Sequence, residues 1–420
     1  MTDSPIVITG VGVVAPNGIG KDAFWANCLN GVSGIKRITL FDTSGYRCHW
    51  AGEISDFDPA AHLGSKGLRN LDRTTLLALV AAKLAIEDGA LEITDGSRSD
   101  IGVILGSTMG SVRSISEFDM DGLRNGPRYV NPAHFPNTVI NSPASQVAIR
   151  FGLQGMNATI STGFTASLDA IGYAMDMLRL GRVQALLVGG VEELCFQTFL
   201  GFYKLGLLAT SQDGTLPPFR PFDDRHCGTL LGEGAAFFIL ESSESAVQRG
   251  ATIYAELSGY ASQFHPDSMY RYDPKAEGLI AVIREALRET GLNPLEIDRV
   301  SACANSSKAA DLMELTAIRG VFGERQIPLS VPKGLFGEPF SAGGALQLAE
   351  MLGILNSRAS SRVVAAAHGK SAARGEEGTE LLVGERPEKI HALLDGFGPT
   401  GVSSALIATH DPGSHNIVMR

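Results

Sequence analysis

NPAHFPNTVINSPASQVAIRFGLQGMNATISTGFTASLDAIGYAM, residues 131–175, carries the clearest strand, turn and helix pattern of the chain. Within it, MNATISTGF (156–164) is a strand-like run that ends on Ser, Thr and Gly and passes directly into ASLDAIGYAMDMLRLG, whose apolar residues recur at helical spacing. A strand delivered into a helix through a tight glycine turn is the repeating unit of an α/β protein.

The same unit recurs on both sides. SPIVITGVGVV (4–14) is a β-branched run, and the segment from Asp72 to Ala90 has helical periodicity around LLALVAAKLAI. DIGVILGST (100–108) reads as a buried strand entering a Gly/Ser loop, and VQALLVGGVEE (183–193) as another strand. The second half opens with ATIYAELSGYAS (251–262), then a helix from Glu277 to Thr290, the strand RVSACANSS (299–307), a helix around Asp311 to Val321 and the strand IPLSVPK (327–333). A Gly/Ala-rich helix (342–356), the strand RVVAAAHG (362–369) and a last strand VSSALIATH (402–410) complete it. Continuous apolar strands between helices predict a parallel or mixed sheet with both faces covered. No low-complexity linker separates the halves, taken as 1–250 and 251–420.

Composition excludes more than it names. With 420 residues, 44% hydrophobic and 19% charged, the chain can bury a large core. A formal charge of −10 argues against broad nucleic-acid or anionic-membrane binding. MTDSPIVITG carries an acid where a signal peptide needs Lys or Arg, and the apolar runs are too short to span a bilayer, so the expectation is a soluble cytoplasmic protein. Five cysteines (Cys28, Cys48, Cys195, Cys227, Cys303) lack C-x-x-C spacing, which points to neither a disulfide framework nor zinc. GVGVVAPNG (10–18) lacks the full dinucleotide-binding spacing and there is no Walker pattern, so no cofactor is expected.

The 131–175 stretch resembles the nucleophile region of the β-ketoacyl synthases, condensing enzymes of thiolase-like fold. FRPFDDRHCGTLLGEGAAFFILE (219–241) with AVQRGATIYAELSGY (246–260) resembles the segment joining the two halves of those enzymes, and LLDGFGPTG (393–401) resembles their C-terminal glycine-rich loop. The resemblance implies a five-layered α/β/α/β/α fold of two related halves that dimerises through its central strands.

The family reaction is a decarboxylative Claisen condensation. It needs a cysteine at a helix N-terminus to carry the acyl group and two histidines to stabilise the enolate oxygen. By the resemblance, the nucleophile position is Phe164, the first histidine position Cys303 in SACANSSK, and the second Glu338 in VPKGLFGEPFSAGG. A phenyl ring has no lone pair to attack a thioester, so no catalytic residue is expected at these degenerate positions. Lys333 matches the family lysine, Glu314 falls where its carboxylate partner lies, and Phe397 matches the gating phenylalanine, which implies a Lys333–Glu314 ion pair bracing the site wall. Phe164 and Phe397 otherwise read as core packing.

VPKGLFGEPFSAGGAL and NGPRYV (125–130) resemble the chain-length factors, the inactive partner subunits of type II polyketide ketosynthases. Many of those carry glutamine where this chain has Phe164, which leaves that position a packing or tunnel-plugging role. The resemblance implies a heterodimer with an active ketosynthase, an acyl carrier protein as further partner, and a growing polyketide or polyene in a shared tunnel. The tunnel-lining helix then covers about Ser111–Arg124, and helical spacing puts Val112, Ser116 and Asp119 or Met120 on one face; an ordinary interface helix is the alternative. A carrier protein is acidic, so the active partner should supply the basic docking surface.

Two other functions stay open: an unusual ketosynthase-like acyltransferase or decarboxylase working through Cys303, and a scaffold that docks the carrier protein without measuring chains. A carboxylate beside Cys303 would raise its pKa and weaken it as a nucleophile. His368 in AAHGK reads as a loop histidine, His226–Cys227 as structural with no third metal ligand, and Asp223, Asp224 and Arg225 as a turn held by salt bridges.

Overall fold

In the computed structural model, which describes residues 4–223, 225, 228–266, 271–357 and 389–411, the strand Ile101–Gly106 is buried at every position. Val103 and Leu105 enter one apolar cluster and Ile104 another, as a strand's two-residue period requires when both faces are covered. Numbered in chain order, the main strands are β1 Ile6–Ala15, β2 Ile101–Gly106, β3 Asn157–Ile160, β4 Ala185–Glu192, β5 Gly234–Ser242, β6 Ala255–Phe264, β7 Arg299–Ser301, β8 Leu329–Ser330, β9 Ile390–Phe397 and β10 Val402–His410. The main helices are α1 Arg73–Asp88, α2 Val112–Asn125, α3 Ser142–Phe151, α4 Ala166–Arg179, α5 Phe196–Lys204, α6 Glu277–Thr290, α7 Lys308–Phe322 and α8 Gly343–Asn356.

The chain traces the same path twice. In space the first strands run β3-β2-β4-β5-β1 and the second β8-β7-β9-β10-β6. In each set the β3/β2/β4 or β8/β7/β9 contacts are parallel and the remaining two antiparallel. The sets join where Ile6, Val7 and Ile8 of β1 pair with Leu257, Glu256 and Ala255 of β6. A register shift between Ile8 and Gly10 interrupts the pairing of β1 with β5.

Five layers follow from where the apolar side chains go. On the outside of the first sheet, Leu77, Val80 and Ala81 of α1 and Val147 of α3 pack with Val103, Leu187 and Phe237. Between the sheets, Leu168 and Ile171 of α4 and Leu346 and Leu352 of α8 pack with Ile104, Val188, Leu394 and Leu406. Outside the second sheet, Leu279 and Ile283 of α6 and Met313 of α7 pack with Val300, Leu393 and Ile407. This is the layered α/β/α/β/α arrangement expected from the sequence. Asp72 caps α1 by accepting from the Thr75 amide at 2.8 Å, which fixes where that helix begins.

Several element boundaries differ from expectation for identifiable reasons. The strand expected over 299–307 stops at Ser301, because the next amides donate to side chains: Cys303 to Glu314 and Asp395, and Asn305 to Asp311. The strand expected over 327–333 shrinks to Leu329–Ser330, flanked by Pro328 and Pro332, which cannot donate to a ladder. LLDGFGPTG is a loop only after Phe397; its first residues complete β9, paired with β10 through eight residue pairs from Ile390↔His410 to Phe397↔Ser403. The strand Gly234–Ser242, hidden in the segment read as a connection, is central to the first sheet. The strand expected at 362–369, with His368, and the residues Asp224 and His226–Cys227 lie outside the described residues.

Candidate functional site

The turn between β3 and α4 is tight enough to need glycine: Gly163 has φ 81°, and its carbonyl accepts from Thr108 Oγ1 at 2.5 Å. Phe164 follows in this 3-10 turn, immediately before α4, 7% exposed. Its ring stacks on Phe202 with centroids 6.5 Å apart and meets Phe340 edge-on at 5.3 Å, while Phe202 and Phe340 lie 5.0 Å apart. Three rings in mutual contact close the space in front of the helix N-terminus. The Phe164 side chain itself carries no heteroatom for covalent chemistry.

Behind the rings lies a dry charged cluster. Lys333 Nζ lies 2.8 Å from Glu338 Oε2, with the two side chains 1% and 0% exposed. The same ammonium donates to Cys303 Sγ at 3.1 Å. Glu338 also accepts from Asn305 Nδ2 at 2.8 Å and from the Phe340 amide at 2.9 Å, so the carboxylate is fully engaged. Burial works against the Lys333 charge, but Cys303 and Glu338 outweigh it and hold its pKa above the usual value. Burial pushes the Cys303 thiol up, the Lys333 charge opposes this, and Glu338 reinforces it. Cys303 is therefore a thiol locked against a cation, with no imidazole among its partners in the described residues.

Glu314 is not the partner of Lys333, which corrects the expected ion pair. Its Oε1 accepts the Cys303 amide at 2.5 Å, an amide that also donates to Asp395 Oδ1 at 3.1 Å. Burial pushes Glu314 well above the ordinary carboxylate range, and the adjacent Asp395 adds to it; burial raises Asp395 as well. Glu314 Oε2 and Asp395 Oδ2 have no other hydrogen-bond partner. One proton shared between the two acids satisfies both. Glu338 stands five residues from Lys333, and that nearer carboxylate wins the lysine.

Phe397 is 3% exposed and edge-on to Tyr272 at 5.9 Å. Three non-glycine residues hold left-handed backbone in the loops of this region: Phe222 (φ 65°), Ser306 (φ 70°) and Phe340 (φ 49°). Such strain costs about 1–3 kcal/mol per residue and persists only where surroundings over-determine it. Asp311 does so at Phe222, accepting from its amide at 2.8 Å and from the Asn305 amide at 3.2 Å, and Glu338 at Phe340, accepting from its amide at 2.9 Å.

A cavity of about 790 Å³ opens in front of the ring cluster, walled by Phe164, Phe202, Leu207, Tyr272, Asn305 and Thr400 among others. The helix expected to line a tunnel is α2, one residue later than anticipated at its start. Val112 and Ser116 are partly buried and Asp119 and Met120 exposed. None of the four walls the cavity at Phe164, nor the cavity of about 460 Å³ beside α2, which Arg113, Ser114, Glu117, Phe118 and Asp121 line. Exposed apolar side chains gather on and after α2: Met120, Leu123, Tyr129, Phe135, Val139 and Ile140. The Asp223–Arg225 turn is salt-bridged at 2.7 Å as expected.

Sequence reasoning missed Asn305, Phe340 and Asp395, although all three sit inside motifs already quoted. It also missed Phe202 and Tyr272, which no local pattern marks. Among the described residues no group of three or more metal-ligating side chains is assembled, and no helix is long and apolar enough to cross a membrane.

Comparisons with known proteins agree with this architecture. The family described as "Beta-ketoacyl synthase, N-terminal domain" matches residues 3–246, and "Beta-ketoacyl synthase, C-terminal domain" matches residues 254–366. The chain is 36% identical over 345 residues to a 3-oxoacyl-[acyl-carrier-protein] synthase 2 of Coxiella burnetii, covering 81% of this chain and 83% of that one. A synthase of the same description from Staphylococcus aureus is 33% identical with the same coverage. Among solved structures, a type II PKS acyl-carrier protein in complex with its ketosynthase bound to the hexaketide includes a chain of TM-score 0.83 and 26% identity, covering 97% of this chain and 99% of that one. The ishigamide ketosynthase/chain length factor includes one of TM-score 0.82 and 27% identity, with the same coverage.

Proposed function

The chain belongs to the β-ketoacyl synthase family, and from that premise we propose that it is a non-catalytic chain-length factor, the partner subunit of an active ketosynthase in a heterodimeric type II polyketide system. The observation that carries this reading is the replacement of the whole reacting set. A three-ring cluster occupies the turn before α4, the Cys303 thiol is held by Lys333, and Glu338 is committed to the same lysine. A carboxylate in the second histidine's place repels a developing enolate oxygen instead of stabilising it.

A subunit without chemistry acts through the surfaces it presents. The apolar side chains on and after α2 form the kind of patch that a protein partner covers. In this reading the partner supplies the cysteine, the histidines and the basic surface for an acyl carrier protein, and this chain sets where the shared tunnel closes. An added two-carbon unit that overlaps a packed side chain costs about 1–3 kcal/mol, enough to bias chain length.

The test is co-expression with an active ketosynthase and a carrier protein, with analysis of the product. Ser116→Phe is expected to shorten the chain while the heterodimer stays intact; an unchanged product distribution removes Ser116 from the tunnel. Intact-mass analysis after incubation with acylated carrier protein should show no adduct on this subunit, and an acyl label on Cys303 would return the reading to an enzyme.

A further inference from the structure

Glu193, the residue after β4, is 3% exposed, and among the described residues its carboxylate makes one hydrogen bond, Oε1 accepting from the Arg113 amide at 3.2 Å. Its Oε2 has no donor, and the side chain lines the cavity of about 460 Å³ between the start of α1 and α2. A buried carboxylate with a free oxygen and no counter-charge is costly unless a proton or a cationic donor reaches it. Two further buried acceptors border the same space. Asn137, 6% exposed, uses its Nδ2 on the Asn70 carbonyl at 2.6 Å, which leaves Oδ1 unbonded, and Asp72, 9% exposed, caps α1. The inner cations of the lining are engaged: Arg73 by Glu233 at 2.7 Å and Arg113 by Glu117 at 2.7 Å, with Arg69 exposed at the rim. Phe118 and Val130 supply apolar wall, and the volume lies within the range of small-molecule sites.

We infer that this cavity binds a small primary aliphatic amine as its ammonium ion, with the N–H groups directed at Glu193, Asn137 and Asp72 and the alkyl group against Phe118. An ammonium carries three donors and no acceptor, which matches a lining that offers acceptors. A quaternary ammonium has the charge without the donors. A metal ion needs more converging ligands than the described residues assemble. The site shares no lining residue with the cavity at Phe164 and goes beyond the subunit reading, since this chain forms it alone.

Binding is linked to pH. Around Glu193 stand Asp72 and Arg73 at the start of α1, Arg113 and Glu117 of α2, Glu192 of β4 and Glu233 just before β5. Burial, reinforced by Asp72, Glu233 and Glu192 against the Arg113 amide, pushes the Glu193 carboxyl up to about 8. The free site therefore holds a proton at neutral pH, and the ammonium releases it to solvent. Affinity rises as pH passes upward through about 8 and levels off below the range where the amine loses its own charge.

Isothermal titration of the full-length protein with butylamine, and with tetramethylammonium and calcium chloride as controls, tests it. Butylamine is expected to bind at one site per chain, about tenfold more tightly than tetramethylammonium, because only the amine donates hydrogen bonds to the buried carboxylate. Its affinity should rise between about pH 6.5 and about pH 8.5, with proton release read from buffers of different ionisation heat. Glu193→Gln keeps an acceptor for the Arg113 amide and removes the charge; it should weaken butylamine about tenfold and abolish both the pH dependence and the proton release. Ser114→Trp, on the cavity side of α2, should fill the space and weaken butylamine by a similar factor. Circular dichroism confirms that each variant is folded. No saturable binding to the wild type, equal binding by Glu193→Gln, equal binding of tetramethylammonium, or displacement of butylamine by calcium overturns the inference. The outcome is separable from the subunit reading, because failure of the heterodimer leaves butylamine binding by this chain intact.

Discussion

Lys333 and Glu338 form a fully buried ion pair, 2.8 Å from Nζ to Oε2. Glu338 supplies the counter-charge for the lysine, and in the proposed reading it also takes the place of an enolate donor. Stranding a buried charge costs about 3–5 kcal/mol, whereas replacing both partners with apolar residues is far milder. Glu338→Ala should therefore lower unfolding free energy by about that amount in urea titration, and Lys333→Met with Glu338→Leu by much less than the two single changes together. A cycle on Lys333 and Glu314 should show the weaker coupling. Equal coupling in the two cycles would contradict the pairing described.

Phe164→Cys puts a thiol at the N-terminus of α4 without restoring the enzyme. The helix end favours a thiolate, so an acyl adduct on the variant is an acceptable result. Condensation is not, because Cys303 and Glu338 are both engaged by Lys333. Loss of the ring from its contacts with Phe202 and Phe340 should also cost about 3 kcal/mol. The measurement is product analysis with acyl and malonyl carrier protein, and a 3-oxoacyl product from this single variant would refute the account of the site.

Buried carboxyls should make stability fall as the solution becomes more alkaline. Burial pushes Glu192 and Glu350 up to about 7 and, with Asp72 and other acids nearby, Glu193 up to about 8, from an ordinary value of 4.5. Between about pH 4.5 and 8 the native state then holds more protons than the unfolded one, so stability declines as pH rises through that window. Glu350 is the cleanest probe, since among the described residues its only hydrogen bond is from Ser330 Oγ at 3.1 Å, and burial outweighs that bond and the Arg299 charge. Glu350→Gln should flatten part of the slope of Tm against pH. A slope of opposite sign in the wild type, or an unchanged slope in the variant, would count against it.

What the sequence reveals and what it hides divide along one physical line. Helix α6 was legible residue for residue from Glu277 to Thr290, because one apolar face over 14 residues leaves little freedom. The loss of the nucleophile was legible because Phe164 sits in a turn whose flanking residues are distinctive. Pairing between distant segments was not. Whether Lys333 meets Glu314 or Glu338 depends on the loop 302–307, whose path is set by Asp311, Glu314 and Asp395 drawing its amides away from a strand. Tyr272 and Phe202 reach the cavity from other elements, and no spacing in their own segments announces it.

One close approach between the two halves offers a specific stability test. Tyr260 of β6 lies across α4, and its hydroxyl donates to Asp169 Oδ1 at 2.6 Å, beside the hydroxyls of Ser404 and Thr165, which donate to the same carboxylate. Its ring covers Gly172 so closely that a Cβ there would come within 2.1 Å of it. Ala is the better helix former, so in an open position Gly172→Ala would stabilise. Here the ring must move, and moving it stretches the Asp169 bond, so a net loss of about 1–3 kcal/mol is expected. Tyr260→Ala alone should also destabilise, by losing the bond and the ring. With the ring gone, Gly172→Ala should no longer cost anything, so the double variant should be no less stable than Tyr260→Ala. Urea unfolding of the four proteins measures this directly, and additive losses would mean that the ring does not set the size limit at position 172.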